Sequence, residues 1–270
     1  MTVLTILSPL SAWLVMLSLG LGADTRDRAA WRHELSLRYW LGVYALPLLL
    51  VVACAAGGWV SAAGGLGLAL CILSGSGTSG VAWARARGAD NHRVTARLAS
   101  GALLALIGMP IAAAWVTTDA LGVALTVFVT LVLAQWLPWQ VGRWWKARRP
   151  LSAPALRRLE QAASLSVVAL ILVVAWQSLP QLLVHPRLAA VAAAVALALA
   201  LASAFDAADR LEAMGVVKNL TLVTLVLTQS GAPEDAMTAL AAFGAVMYPA
   251  AWLASRGGVA LTRAAASGNG

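Results

Sequence analysis

The sequence predicts an all-α polytopic membrane protein of nine transmembrane helices, and three observations lead there. Of its 270 residues 61% are hydrophobic and 11% charged, with a mean hydropathy of +0.82, which is foreign to soluble domains. Nine apolar segments approach the length of about 20 residues that a spanning helix needs. Positive charge alternates from loop to loop, as membrane insertion demands.

The segments are 4–22, 38–57, 62–84, 94–116, 120–141, 161–179, 187–205, 209–229 and 234–255. The first is read as a mature helix and not a leader, because its first positive residue is Arg26 and no small-residue cleavage site follows it. Turn formers mark the ends: Gly57-Gly58, Pro150, Pro180, Pro186 and Gly231-Ala232-Pro233. Trp40, Trp59, Trp115, Trp136, Trp139, Trp144, Trp145 and Trp176 crowd those ends as interfacial anchors.

Charge sets the expected orientation. Arg26, Arg28, Arg32 and Arg38 share one loop; Arg85, Arg87, Arg93 and Arg97 cluster at the next loop of that side. Arg143, Lys146, Arg148, Arg149, Arg157 and Arg158 follow, then Arg210, then Arg256 and Arg263. Seventeen of nineteen positive residues thus fall on one side, leaving Arg187 and Lys218. That side is expected to be cytoplasmic, with the N-terminus outside and the C-terminus inside. The net charge of +8 therefore reflects insertion and not a nucleic-acid partner; the lipid bilayer is the expected one. The alanine-rich composition points to a high-GC bacterial genome, and so to a cell inner membrane.

Cys54 and Cys71 read as small buried hydrophobes, and two lone thiols make no metal site. His33, His92 and His185 are scattered in or beside loops. No catalytic motif appears, so an enzyme is not expected, nor is a cofactor.

Two segments are interrupted. Ser74-Gly75-Ser76-Gly77-Thr78-Ser79-Gly80 places three glycines and four hydroxyl residues inside the third. Close helix packing of small residues is the plainer account. Unwound backbone at membrane depth is the sharper one, tolerated only where protein or a cavity surrounds it. The eighth segment is interrupted at 214–219 and carries Lys218, an ammonium that costs roughly 3 kcal/mol at the centre of a membrane helix on insertion scales. A lysine snorkelling to the interface is the alternative. The two interruptions sit symmetrically, each followed by one helix, which suggests an inverted repeat with two crossed discontinuous helices.

On these residues the chain resembles the bile acid:sodium symporter family. Residues 11–22 with the following Ala-Asp look like its early helix, 74–81 like its first crossing segment, and 214–220 like its second. The resemblance implies core and panel domains: a panel helix and first cytoplasmic loop at 1–37, core at 38–119 with a break at 74–80, panel helices at 120–184, core at 185–256 with a break at 214–219, and a cytoplasmic tail at 257–270. It implies a secondary transporter of an organic anion, either amphipathic or a small carboxylate.

The chain departs from that family at the sodium ligands. Ser79 matches the family serine, but Gly80 replaces an asparagine. Arg93 and Arg97 fall at hydroxyl positions. Aligned on Asn219, Lys218 replaces a glutamine and Met214 a glutamate; a one-residue shift instead puts Gly215 in register and Ala213 at the acid. Glu212 is the nearest carboxylate. Sodium prefers hard oxygens, so the expectation is a sodium-independent protein in which Lys218 fills the ion's place. Ser76, Thr78 and Asn219 would add hydrogen bonds to a bound anion, and positive-inside bias is the plainer account of Arg93 and Arg97. A sodium-coupled symporter with relocated ligands and a non-transporting membrane scaffold are the alternatives.

Overall fold

The computed structural model describes residues 2–22, 37–115, 119–149, 151–204 and 210–267. Arg26, Arg28 and Arg32 lie outside the described residues, as do the side chains of Arg38 and Arg263. Among the described residues the chain is helical and has no strands, only one isolated antiparallel bridge.

The helices run in order α1 (Thr2–Gly22), α2 (Leu37–Trp40), a π turn (Leu41–Ala45), α3 (Leu46–Ala56), α4 (Ala62–Leu73), α5 (Thr78–Ala86) and α6 (Asn91–Ala114). Then come α7 (Ala120–Leu131), a second π turn (Val132–Trp136), α8 (Leu137–Arg148), α9 (Ala153–Val184), α10 (Pro186–Ala204), α11 (Glu212–Val216), α12 (Leu220–Gln229) and α13 (Glu234–Ser267). By length and composition, four helices are fit to cross a membrane: Asn91–Ala114, Ala120–Arg148, Pro186–Ala204 and Glu234–Gly257. Their outward faces are apolar, with Leu103, Ile107, Ile111, Leu121, Leu125, Leu197 and Leu201 exposed. The buried side includes Arg97, Glu212, Lys218 and Asn219. The core is itself largely apolar, and apolar outer faces of this extent fit a membrane protein.

Each π turn precedes a Leu-Pro step, Leu46-Pro47 and Leu137-Pro138. Proline lacks an N–H and crowds the carbonyl four residues back. The wider turn places that carbonyl elsewhere, so both helices continue through their prolines. Near the end of the chain, α13 continues to Ser267 where the sequence suggested a tail from 257.

Close approaches between backbones hold the helices together. Glycines make them possible: Gly20 lies directly against the Trp139 carbonyl, and a Cβ on Gly142 would stand 2.6 Å from the Leu17 carbonyl. This seats α1 on α8. A Cβ on Gly67 would strike the carbonyl of Ala236, which seats α4 on α13. α1 also packs on α9 and α12, while α10 packs on α13. Gly142→Val should therefore cost about 1–3 kcal/mol by overpacking, read as a lower unfolding midpoint in detergent. Gly257→Ala, whose methyl would meet Ala204 at an ordinary 3.8 Å, should leave that midpoint unchanged.

Candidate functional site

Two helices stop at the same place. The helical run from Ala62 halts at Leu73 and resumes at Thr78; the run from Glu212 halts at Val216 and resumes at Leu220. Both interruptions are narrower than the sequence suggested. Thr78, Ser79 and Gly80 already belong to α5, and Met214 and Gly215 belong to α11. A helix end leaves peptide groups without intrahelical partners. Here the two breaks supply one another. Gly77 N–H donates to the Val217 carbonyl at 2.9 Å, and Asn219 N–H donates to the Gly75 carbonyl at 3.1 Å. Ser76 and Lys218 are thereby paired antiparallel.

Side chains complete the crossing. Ser76 Oγ donates to the Met214 carbonyl at 2.6 Å. Ser74 Oγ donates to the Cys71 carbonyl at 2.9 Å and accepts from Asn219 N–H at 3.1 Å. Asn219 Oδ1 accepts from Leu222 N–H at 3.3 Å and so caps α12. Gly75 has φ +72°, and a Cβ there would stand 3.0 Å from the Gly101 backbone. Two requirements meet at that residue, a left-handed conformation and contact with a neighbouring glycine.

Lys218 is 2% exposed. Its ammonium lies 4.5 Å above the Tyr44 ring and has no hydrogen-bond partner among the described residues. The contact the cation makes is an aromatic face. Arg97 is 1% exposed; its guanidinium stacks 4.3 Å from the Tyr39 ring and donates to the Leu211 carbonyl at 3.3 Å. The two rings touch edge to face, with centroids 6.1 Å apart. Two buried cations thus share one aromatic pair.

The π turn makes this sharing feasible. Residues five apart on an α-helix point about 140° away from each other. A turn closed by i→i+5 hydrogen bonds brings them nearly into line, so Tyr39 and Tyr44 reach the same side.

The other expected residues divide. Asn219, Ser76 and the Met214 carbonyl belong to the crossing. Ser79 is half-buried, and its hydroxyl pairs with Tyr248 at 3.1 Å, turned to α13. Gly215 serves packing, because a Cβ there would strike Ser203 on α10. Arg93 is half-buried, one turn nearer the start of α6 than Arg97. The side chain of Thr78 lies outside the described residues. Glu212 is fully buried, and its Oε2 accepts from Arg87 at 2.9 Å. Arg87 reaches on to the Ser255 carbonyl, and its own carbonyl accepts from Arg210.

Sequence reasoning missed Tyr39, Tyr44 and Tyr248. A signal existed. The chain has three tyrosines against twelve tryptophans, and all three lie within or beside apolar segments. Each touches a candidate residue: Arg97, Lys218 and Ser79 respectively.

Fold and site together define an all-helical chain, compatible with a membrane protein, with two buried cations at a crossing of interrupted helices. No protein-family model matches the chain, and neither does any curated protein. Removing Arg87 would take from the buried Glu212 carboxylate its 2.9 Å ion pair, so Arg87→Ala should cost about 3 kcal/mol. Adding Glu212→Gln should recover most of that loss in the same thermal-unfolding measurement.

Proposed function

We propose that the chain is a secondary transporter of an organic anion and crosses the membrane nine times. The observation that carries this reading is the Lys218 ammonium, enclosed at the crossing and resting on Tyr44. Paired discontinuous helices in a membrane are characteristic of transporter binding sites, and a charge kept at that depth argues for a function that needs it.

The inverted repeat belongs to the same reading. Each broken run is followed by one long helix, Asn91–Ala114 in the first half and Glu234–Ser267 in the second. The packing of α1 on α8 and α9 fits a panel, and that of α4 and α10 on α13 fits a core. The positive-inside distribution supports an N-terminus outside and a C-terminus in the cytoplasm, in a bacterial inner membrane.

Coupling to sodium is disfavoured by the donor set. Carbonyl oxygens of Gly75, Val217 and Met214, which would suit a sodium ion, accept hydrogen bonds from Asn219, Gly77 and Ser76. The Glu212 carboxylate is engaged with Arg87. Lys218 occupies the remaining place and supplies the charge that attracts an anion.

One observation favours a second reading, a non-transporting scaffold: both Lys218 and Arg97 are almost wholly enclosed, at 2% and 1% exposure. A transporter in an occluded state has the same property. Counterflow of labelled organic carboxylates in liposomes separates them. The transport reading expects exchange that is equal in sodium and potassium buffers and falls at least tenfold in Lys218→Gln. A strict sodium requirement overturns sodium independence, and no exchange of any anion leaves the scaffold.

A further inference from the structure

Between Asp119 and Glu160 the chain has no acidic residue and six basic ones, all of them after Trp139. They lie along α8 and the start of α9. Positive-inside bias accounts for their presence. The way one of them is held calls for more.

Of the four apolar helices fit to cross a membrane, Ala120–Arg148 is the least buried, and it has 29 residues. At about 1.5 Å per residue such a helix reaches about 43 Å. A bilayer is about 30 Å thick in its hydrocarbon and about 40–45 Å with its headgroups. The last turn of α8 therefore falls in the headgroup layer of a membrane that this helix crosses.

Trp144 and Arg148 occupy that turn. Trp144 is 56% exposed, and the Arg148 guanidinium lies 4.3 Å from the centre of its ring. A long cationic side chain at a membrane surface ordinarily extends its charge to water. Arg148 instead folds back over the ring, one turn nearer the apolar stretch. Stacking covers a face of the planar guanidinium and leaves its N–H edge free to donate. Arg148 is exposed, and among the described residues its side chain makes no ion pair. The same holds for Arg149, Arg157 and Arg158.

The arrangement recurs at the end of another of the four helices, Glu234–Gly257. There the Arg256 guanidinium lies 4.0 Å from the ring of Trp252, which is 45% exposed. Both pairs are four residues apart, so ring and arginine share one helix face. In both the ring comes first, on the apolar side, and the charge stands at the end.

We infer that each of these pairs holds an anionic two-chain phospholipid of the surrounding bilayer. The phosphate accepts from the guanidinium edge, a two-point match that a lysine cannot make. The glycerol region lies against the tryptophan ring. Arg149, with Arg157 and Arg158 just past the turn, favours a headgroup of net negative charge over a zwitterionic one. This lipid is a fixed partner on the outer surface and not the cargo attracted to Lys218. The assignment requires that the chain sit in a membrane, and it is independent of transport.

Native mass spectrometry of the purified full chain in neutral detergent counts the bound lipids. Phosphatidylglycerol should bind saturably and at least tenfold tighter than phosphatidylcholine. Trp144→Leu and Arg148→Lys leave the net charge unchanged, and each should lose one tightly bound phosphatidylglycerol. Combining Trp144→Leu with Trp252→Leu should lose two. Arg157→Lys, which alters an arginine outside both pairs, should lose none. Lys218→Gln should keep the full count, which separates loss of this surface from loss of transport. Unfolding curves establish that each variant is folded. Equal affinity for the two lipids, no saturable binding of either, or a phosphatidylglycerol count unchanged in both Trp144→Leu and Arg148→Lys overturns the assignment.

Discussion

A helix that stops within an apolar layer strands its terminal N–H and C=O groups, and hydrocarbon offers them nothing. The centre of this protein is arranged around that constraint. Two interrupted helices meet, and each gives the other one donor and one acceptor through Gly77, Val217, Asn219 and Gly75. Serine hydroxyls at 74 and 76 and the Asn219 amide take up further groups. Backbones can come this close because glycine stands at the contact: a Cβ on Gly77 would lie 2.7 Å from the Lys218 carbonyl. The glycine-serine run is thus the means by which two breaks become one joint.

At that joint the lysine rests on a ring, with its ammonium over the Tyr44 face. The magnitudes make the arrangement feasible. A desolvated cation–π contact is worth about 2 kcal/mol, against roughly 3 kcal/mol for holding a cation at the centre of a membrane helix. Arg97 adds a carbonyl bond to its own ring contact. The Glu212–Arg87 pair links α11 to the end of α5. At the centre two cations meet two aromatic rings.

Much of this architecture was legible in the sequence. Hydropathy marked the apolar helices, because that signal is local and additive, but Pro180 did not end its segment: the helix runs through it to Val184. The run 74–80 and the lysine at 218 marked the two breaks, because glycine and charge are conspicuous among leucines and alanines. Their edges were not legible: Met214 and Gly215 stay helical because α11 is packed against α10 and α13, which no local preference reveals. The tyrosine pair was missed for a related reason. A five-residue spacing has no meaning in an α-helical pattern, and it acquires one only through a π turn. Ser79 was assigned to the crossing by resemblance, whereas its hydroxyl answers Tyr248, far along the chain.

The π turn at Leu41–Ala45 accommodates one residue more than an α-helical path would. Winding the same residues as regular α-helix would swing everything upstream by about 100°. Tyr39 would leave its arginine while Tyr44 kept its lysine, uncoupling the two cations without altering either one. The wide turn works as a phase shifter between them, and the aromatic pair exists only while that turn is kept.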